Sequence, residues 1–184
     1  MNIFLTSDTH FGHNKPFLYE PRGFASIEEM NEAVIERWNS IVNENDLVYH
    51  LGDVYLNDYD VSQLKRLHGN IILIRGNHDT DRKISDIYAT GKLATNNIHT
   101  SELIKFGKLS LFLCHYPVLT ANYDEKHFSQ HTLSIHGHTH LPDKFDDSHN
   151  PFLYNVCLDA HNCYPVPIEQ VVSDMRNQFI KFTS

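Results

Sequence analysis

The stretch Ile71-Ile72-Leu73-Ile74-Arg75-Gly76-Asn77-His78-Asp79 joins a wholly apolar run to a cluster of polar side chains. Four consecutive apolar residues ahead of Gly76 are typical of a strand buried on both faces. Just beyond it, Asn77, His78 and Asp79 offer an amide oxygen, an imidazole and a carboxylate. Open α/β sheets bind ligands outside the carboxyl ends of their strands, so this loop is a candidate site. Taken alone, it is equally compatible with an ordinary polar turn.

Two earlier segments repeat this pattern of a strand with a polar end. Residues 2–7 predict a short buried strand that runs into Asp8-Thr9-His10, and residues 46–51 predict a second strand that runs into Gly52-Asp53. Side chains two residues apart share a face of an extended chain. Asp8 and His10 are therefore expected to reach the same ligand.

Helical segments separate these three strands. Ser26 and Glu29 form a capping box ahead of an apolar stripe that continues to Ile41 at spacings of three and four. Residues 60–67 predict a second crossover helix, with Asp60 at its N-cap. The order β-α-β-α-β predicts an α/β fold with parallel strands and right-handed crossovers.

The second half of the chain adds a hairpin and a histidine-rich strand end. Residues 97–113 predict the hairpin, which leads into His115, and residues 132–135 predict a strand that ends in His136-Gly137-His138-Thr139-His140. Several imidazoles on one face repel one another when charged, which favours a metal ligand role for them. The remaining predicted elements are a short helix over 81–88, a strand over 152–158 and a helix over 167–177.

Composition restricts the class of protein. The chain of 184 residues predicts one domain, residues 1–184, and its hydrophobic fraction of 41% indicates a globular protein with a substantial core. The net charge of −8 disfavours an extended nucleic acid as the partner. Fourteen histidines point to metal binding or proton transfer. The three cysteines lack the spacing of a zinc finger or disulfide framework.

The sequence also predicts where the protein is found. The N-terminal region lacks the basic and apolar parts of a signal peptide, and no segment approaches the length of a membrane span. The expected location is therefore the cytoplasm, without membrane association. The oligomeric state is left open.

Five short motifs resemble those of the calcineurin-like metallophosphoesterase superfamily. They are Asp8-Thr9-His10, Gly52-Asp53, Gly76-Asn77-His78-Asp79, His115 and Gly137-His138-Thr139-His140. A narrower resemblance to a small bacterial and phage-type branch rests on further residues. These are Arg22, Trp38-Asn39, Asn155-Val156, residues 159–162 and Pro165-Val166. The resemblance implies a four-layer α/β/β/α sandwich.

The resemblance also implies two divalent metal ions. One ion would be held by Asp8, His10 and His140, the other by Asn77, His115 and His138, with Asp53 as the bridge between them. Oxygen and imidazole ligands suit manganese, iron or zinc better than magnesium or calcium. Manganese is the expected metal, with iron, zinc or nickel as alternatives. A supporting role is assigned to His136 on the resemblance alone, and His161 is either supporting or structural.

The implied reaction is hydrolysis of a phosphoester. A hydroxide bridging the two ions would be the nucleophile, His78 the general acid, and Asp79 the partner that orients its ring. Phosphodiesters, on small or accessible nucleotide-like substrates, are expected ahead of nucleotide or protein phosphomonoesters. A metal-binding scaffold without turnover is the alternative of another class. The pair His78 and Asp79 disfavours that alternative, because a scaffold needs no proton donor.

Arg22 and Tyr116 are the candidate substrate-binding residues. Arginine binds phosphate oxygens bidentately, although an exposed arginine that only aids solubility is an equally good interpretation of Arg22. Aromatic residues between His115 and His138 could stack on a base or belong to an ordinary surface loop. Besides Tyr116, they are Tyr123, His127, Phe128 and His131. No insertion is long enough for a cap domain, which favours an open site.

Overall fold

Two four-stranded sheets form the centre of the structure. The computed structural model describes residues 1–56, 59–95, 98–120 and 127–183. The strands are β1 (Ile3–Thr6), β2 (Leu47–His50), β3 (Asn70–Leu73), β4 (Ser101–Phe106), β5 (Leu109–Cys114), β6 (Thr132–His136), β7 (Leu153–Asn155) and β8 (Val166–Pro167). The helices are α1 (Pro16–Tyr19), α2 (Ile27–Ile41), α3 (Asp81–Ala89) and α4 (Ile168–Thr183), with short 3₁₀ helices at Val61–Arg66, Phe128–Gln130 and Leu158–His161.

Both sheets are mixed. The first has the order β3-β2-β1-β8, in which β1, β2 and β3 are parallel and β8 is antiparallel to β1. The second has the order β4-β5-β6-β7, in which β5, β6 and β7 are parallel and β4 forms the predicted hairpin with β5. The predicted α/β sandwich of two sheets flanked by helices is therefore confirmed, and so is the parallel order of its first three strands.

Alternating side chains of the first sheet divide the core in two. Phe4 of β1 packs with Met30 and Trp38 of α2, whereas the next residue, Leu5, packs with the second sheet in a cluster that includes Leu111 of β5. This alternation follows from the two-residue period of a strand. The first sheet is therefore buried on both faces, which accounts for its nearly continuous apolar strands.

The capping box at the start of α2 forms with one change of partner. Ser26 accepts a hydrogen bond from the backbone N–H of Glu29 as predicted, but the Glu29 carboxylate accepts from the N–H of Ala25 rather than from that of Ser26. Both contacts satisfy backbone donors ahead of the helix. The start of α2 is therefore set by the residues that the sequence indicated.

Several predicted elements differ in type or extent. The segment over 60–67 contains a 3₁₀ helix of six residues instead of an α-helix, and Asp60 caps it as predicted. Short 3₁₀ helices are common as connections between longer elements. The strand over 152–158 is shorter, since the chain turns at Asn155, whose side chain accepts a hydrogen bond from Cys157 N. The final helix continues to Thr183. No helix in the described ranges has the length and apolar character that crossing a membrane requires.

The aromatic segment before β6 contributes to the core. Phe128 and His131 are buried, and the His131 ring stacks on Phe152 with centroids 3.9 Å apart. Tyr123 lies outside the described residues. Burial of these rings argues against a role in stacking on a substrate.

Candidate metal centre

The seven predicted metal ligands lie together at the edge of the sandwich where five strands end. Asp8 and His10 follow β1, Asp53 follows β2, Asn77 follows β3, His115 follows β5, and His138 and His140 follow β6. The loops are joined directly, since Asp8 N donates to Gly52 O at 3.0 Å and His10 N donates to Asp53 O at 3.1 Å. Parallel strands place their carboxyl ends at one edge, and this topology brings distant motifs into contact.

Asp8, His10 and His140 form the first group. Asp8 Oδ1 lies 3.6 Å from His10 Nε2 and 3.5 Å from His140 Nε2, and these two nitrogens are 3.1 Å apart. The other oxygen, Asp8 Oδ2, accepts hydrogen bonds from His138 N at 2.8 Å and Cys157 Sγ at 3.1 Å. Asp8 Oδ1 is buried without a hydrogen-bond partner among the described residues and is therefore available to a cation.

Asp8 and His10 of the first group are in the ionisation states that a metal site requires. Burial by itself raises the pKa of Asp8, but the neighbouring imidazoles of His10 and His140 outweigh it and lower the pKa below its usual range. Burial is also the main cause of the lowered pKa of His10. An ionised carboxylate beside a neutral imidazole is the state in which both can bind a cation.

Asn77, His115 and His138 form the second group. His115 Nε2 lies 2.8 Å from Asn77 Oδ1 and 3.2 Å from His138 Nδ1. The other ring nitrogen, His115 Nδ1, is 2.8 Å from Leu51 O. A carbonyl only accepts, so Nδ1 carries the proton and Nε2 directs its lone pair at the group.

Asp53 lies between the two groups. Its Oδ2 is 3.8 Å from His10 Nε2 and 3.5 Å from His115 Nε2. Its Oδ1 accepts a hydrogen bond from His78 N at 2.8 Å, which leaves Oδ2 facing both groups. One carboxylate oxygen in this position is what a bridge between two cations requires.

The donor atoms fit two divalent cations. In both groups, atoms with lone pairs face one another, and the set contains carboxylate, amide and imidazole donors without a thiolate. Such mixed oxygen and nitrogen sets suit manganese, iron and zinc. His140 Nδ1 is hydrogen-bonded to Asp159 Oδ2 at 3.0 Å, so its Nε2 also points a lone pair inward.

Backbone strain is concentrated at the same residues. Asp8, His10, Asp53, His138 and His140 all have left-handed backbone conformations, with φ between 46° and 72°. Each such conformation costs a non-glycine residue about 1–2 kcal/mol. Strain of this kind clusters where side chains must be aimed at a ligand, and here it turns five of the seven predicted ligands inward.

Two glycines of the motifs allow the loops to approach closely. A Cβ at Gly76 would overlap Asp53 Oδ1 and lie 2.6 Å from Asp53 N, and a Cβ at Gly137 would overlap Ser7 Oγ and lie 2.5 Å from Asp8 Oδ2. A side chain at either position would displace a carboxylate of the site. These glycines are therefore needed for space.

His78 lies at the mouth of the site and Asp79 beneath it. The His78 side chain is 47% exposed, with Nε2 4.0 Å from Asp53 Oδ2. Asp79 is buried, and its carboxylate accepts hydrogen bonds from the N–H groups of Asp53 (2.7 Å), Val54 (3.2 Å) and Gly76 (2.9 Å). The prediction that Asp79 orients the His78 ring is therefore corrected, because backbone donors occupy both of its oxygens.

Arg22 is also placed differently from the prediction. Its side chain is 1% exposed, makes a bidentate pair with Asp159 at 3.0 and 2.7 Å, and donates to Asp8 O at 2.8 Å. Burial raises the pKa of Asp159, but its bonds with His140 and Arg22 outweigh this effect and lower the pKa to about 2. Arg22 is therefore a buried residue that holds Asp159 and the backbone of Asp8 in place. Neither predicted role, in phosphate binding or in solubility, agrees with this position.

The other predicted residues lie around the cluster. Tyr116 is partly exposed, and its ring packs edge-on against His115 and His138 with centroids 5.1 and 4.9 Å apart. His136 is buried with Nδ1 2.8 Å from Gly137 O, and His161 Nε2 is 2.8 Å from Asn155 O. Backbone contacts thus hold both histidines outside the two groups of donors.

Two residues with close contacts to the site were not identified from the sequence. Cys157 donates to Asp8, and Asp159 holds His140 and Arg22. Asp159 was noted only as part of a resemblance, and a cysteine 149 positions from its partner gives no local signal. The bridge between Ser7 and Cys157 at the ends of β1 and β7 brings the two segments together.

Comparisons with known proteins show to which family the chain belongs. Residues 1–156 match the family model of the calcineurin-like phosphoesterase superfamily domain. An uncharacterised protein of Methanocaldococcus jannaschii is 32% identical over 182 residues, covering 92% of this chain and 89% of that protein. The gene 66 protein of Mycobacterium phage L5 is 27% identical over 164 residues, covering 77% of this chain and 78% of that protein.

A solved structure shows the same fold. The protein of unknown function from Aquifex aeolicus is 22% identical and superposes with a TM-score of 0.67, covering 94% of this chain and 98% of that one. The family match includes all five sequence motifs, because it extends past His140. The chain therefore belongs to the calcineurin-like phosphoesterase superfamily and is a metallophosphoesterase.

Proposed function

We propose that this protein is a phosphodiesterase that uses two divalent metal ions, manganese first among them, on small or accessible nucleotide-like substrates. The observation that carries the proposal is the position of Asp53 Oδ2, which faces His10 of one donor group and His115 of the other. Two ions held by these groups would supply an activated water and neutralise the charge on the phosphoryl oxygens.

His78 is the proposed general acid. Its backbone N–H is bound to Asp53, so the ring is held beside the cluster while remaining accessible to a substrate. The imidazolium of His78 would give a proton to the oxygen that leaves phosphorus, which prevents release of a basic alkoxide. The half-exposed position suits a group that must be reprotonated from solvent after each turnover.

Two cavities beside the cluster favour diesters over monoesters. The cavity that contains Phe17, here the Phe17 cavity, has a volume of about 550 Å³, and the cavity that contains Tyr116, here the Tyr116 cavity, has about 560 Å³. A phosphodiester has two organic substituents on phosphorus, one for each cavity, whereas a monoester has only one. Arg75 of the Tyr116 cavity pairs with Asp81 at 2.7 Å and donates to Asp79 O at 2.8 Å, so the second charge of a monoester would have to compete with these two contacts.

The proposal is tested with manganese and a pair of chromogenic substrates, bis(p-nitrophenyl) phosphate and p-nitrophenyl phosphate. We expect manganese-dependent turnover with a higher kcat/KM for the diester. Elemental analysis of the same preparation should find close to two metal ions per chain, and Asp53→Asn should reduce both metal content and activity. A higher kcat/KM for the monoester would favour a phosphomonoesterase, and metal binding without turnover of either would contradict the proposal.

We expect Asp159 to increase the affinity for manganese through its hydrogen bond to His140. In Asp159→Asn the amide does not supply the charge that polarises the His140 ring, so we expect manganese affinity to fall about 10- to 100-fold. Titration calorimetry of metal-depleted protein measures this directly. Arg37→Lys, a conservative change at a residue that donates to Asn162 O, is the control and should leave the affinity unchanged. Equal affinities for Asp159→Asn and the wild type would contradict the role.

A further inference from the structure

The Phe17 cavity contains the proposed general acid. His78 lines it together with His10 and His140 of the first donor group. The Tyr116 cavity instead adjoins Asn77 of the second group. A general acid must come within hydrogen-bond reach of the oxygen that it protonates. The leaving group of a substrate therefore lies on the Phe17 side, and the substituent that stays on phosphorus lies on the Tyr116 side.

The outer wall of the Phe17 cavity is apolar and aromatic. Phe17, Leu18 and Pro21 line it, and the His13 ring meets the Phe17 ring edge-on with centroids 5.5 Å apart at 89°. Leu18 is buried and anchors α1, whereas Phe17 on the same helix is 71% exposed. An aromatic ring in this position offers a flat surface to a ligand without supporting the fold.

The lining of the Phe17 cavity also carries little free charge. Among the described residues that line it, none is lysine or arginine, and its one carboxylate, Asp159, is already bound by Arg22 and His140. A leaving group with further phosphates would find no lysine or arginine in this lining to pair with them. An uncharged aromatic group matches both the apolar wall and the absence of lysine and arginine from that lining.

We propose that the Phe17 cavity binds a flat, uncharged aromatic leaving group of a phosphodiester, with a nucleoside as the natural example. The proposal rests on the proposed function, since it assigns the leaving-group side of the same site. Hydroxide forms a bond to phosphorus, the bond from phosphorus to the leaving oxygen breaks, and that oxygen takes its proton from His78. Stacking on an aromatic side chain is sequence-tolerant and contributes in the same way to each base.

Two diesters with the same leaving group separate the two cavities. Both bis(p-nitrophenyl) phosphate and methyl p-nitrophenyl phosphate release p-nitrophenol, but the group that stays on phosphorus is aromatic only in the first. We expect Phe17→Ala to raise KM about five- to tenfold for both diesters with little change in kcat, because the stacking is equal in ground and transition states. Phe17→Tyr, which keeps the ring, should retain the wild-type KM.

Tyr116→Ala is the matched control in the other cavity. It should raise KM more for bis(p-nitrophenyl) phosphate than for the methyl diester, whereas Phe17→Ala should raise KM to the same extent for both. An unchanged KM for both diesters in Phe17→Ala, or a change confined to bis(p-nitrophenyl) phosphate, would overturn the assignment of the leaving-group side. Phe17 is exposed, so its replacement is not expected to impair folding.

A binding measurement distinguishes failure of the cavity from failure of the proposed function. If the wild-type protein turns over neither diester, the phosphodiesterase proposal is wrong, and equilibrium binding of methyl p-nitrophenyl phosphate to manganese-loaded protein then tests the cavity alone. A Kd that rises about five- to tenfold in Phe17→Ala supports the cavity. Equal Kd values for the two proteins, or no binding to either, would overturn it.

Discussion

Replacement of His78 by alanine is expected to lower kcat by about 10²- to 10⁴-fold, the usual contribution of a general acid, while the metal content stays unchanged. The two effects separate because different atoms of His78 are involved. The backbone N–H binds Asp53 Oδ1 and is kept in the variant, whereas the half-exposed ring is removed. The loss should be largest for substrates whose leaving group is a basic alkoxide, since such a group depends most on protonation.

A series of diesters with leaving groups of increasing pKa measures this directly. In the wild type, kcat should depend weakly on the leaving-group pKa, and in His78→Ala it should fall steeply as that pKa rises. His149→Ala is the matched control, because His149 is a surface histidine that pairs with Asp147. Loss of metal from His78→Ala, or an unchanged kcat on the most basic leaving groups, would contradict the role of general acid.

Sequence patterns predicted the fold and the gathering of the ligand residues for the same reason. A strand followed by a polar loop is a local pattern, and parallel order then places each such loop at one edge of the sheet. Asp8, Asp53 and Asn77 could therefore be placed near one another without knowledge of their contacts. The type of helix over 60–67 could not be predicted, because an aspartate such as Asp60 caps a 3₁₀ helix and a short α-helix alike.

The supporting contacts of the site could not be predicted in this way. Arg22 and Asp159 are 137 positions apart, and nothing in the local sequence of either indicates the other. For Asp79 the local sequence was misleading, because its neighbour His78 suggested a pair between the two side chains. Its carboxylate instead accepts hydrogen bonds from backbone N–H groups of the Asp53 loop, 25 and 26 positions away. Proximity in sequence therefore indicated the wrong partner.

Replacement of Asp79 by alanine should consequently destabilise the protein even without metal. Three buried backbone N–H groups, those of Asp53, Val54 and Gly76, would lose their acceptor. Each unsatisfied donor costs about 1–3 kcal/mol, so we expect the free energy of unfolding to fall by about 3 kcal/mol or more. In a protein of this size that loss lowers Tm by about 6–12 °C. Thermal unfolding in the presence of EDTA measures it without a contribution from bound metal.

Comparison of Asp79→Ala with His78→Ala decides between the two roles of Asp79. If the carboxylate holds the Asp53 loop, Asp79→Ala loses both stability and manganese affinity, because Asp53 is no longer held in its left-handed conformation. Asp79→Asn should be intermediate, since its amide oxygen can still accept from some of the same donors. If the carboxylate instead served the His78 ring, Asp79→Ala would keep its Tm and metal content and would lower kcat in the same leaving-group-dependent way as His78→Ala. The hydrogen bonds to Asp53, Val54 and Gly76 favour the first result, because a carboxylate whose two oxygens already accept three backbone donors has little capacity left for an imidazole.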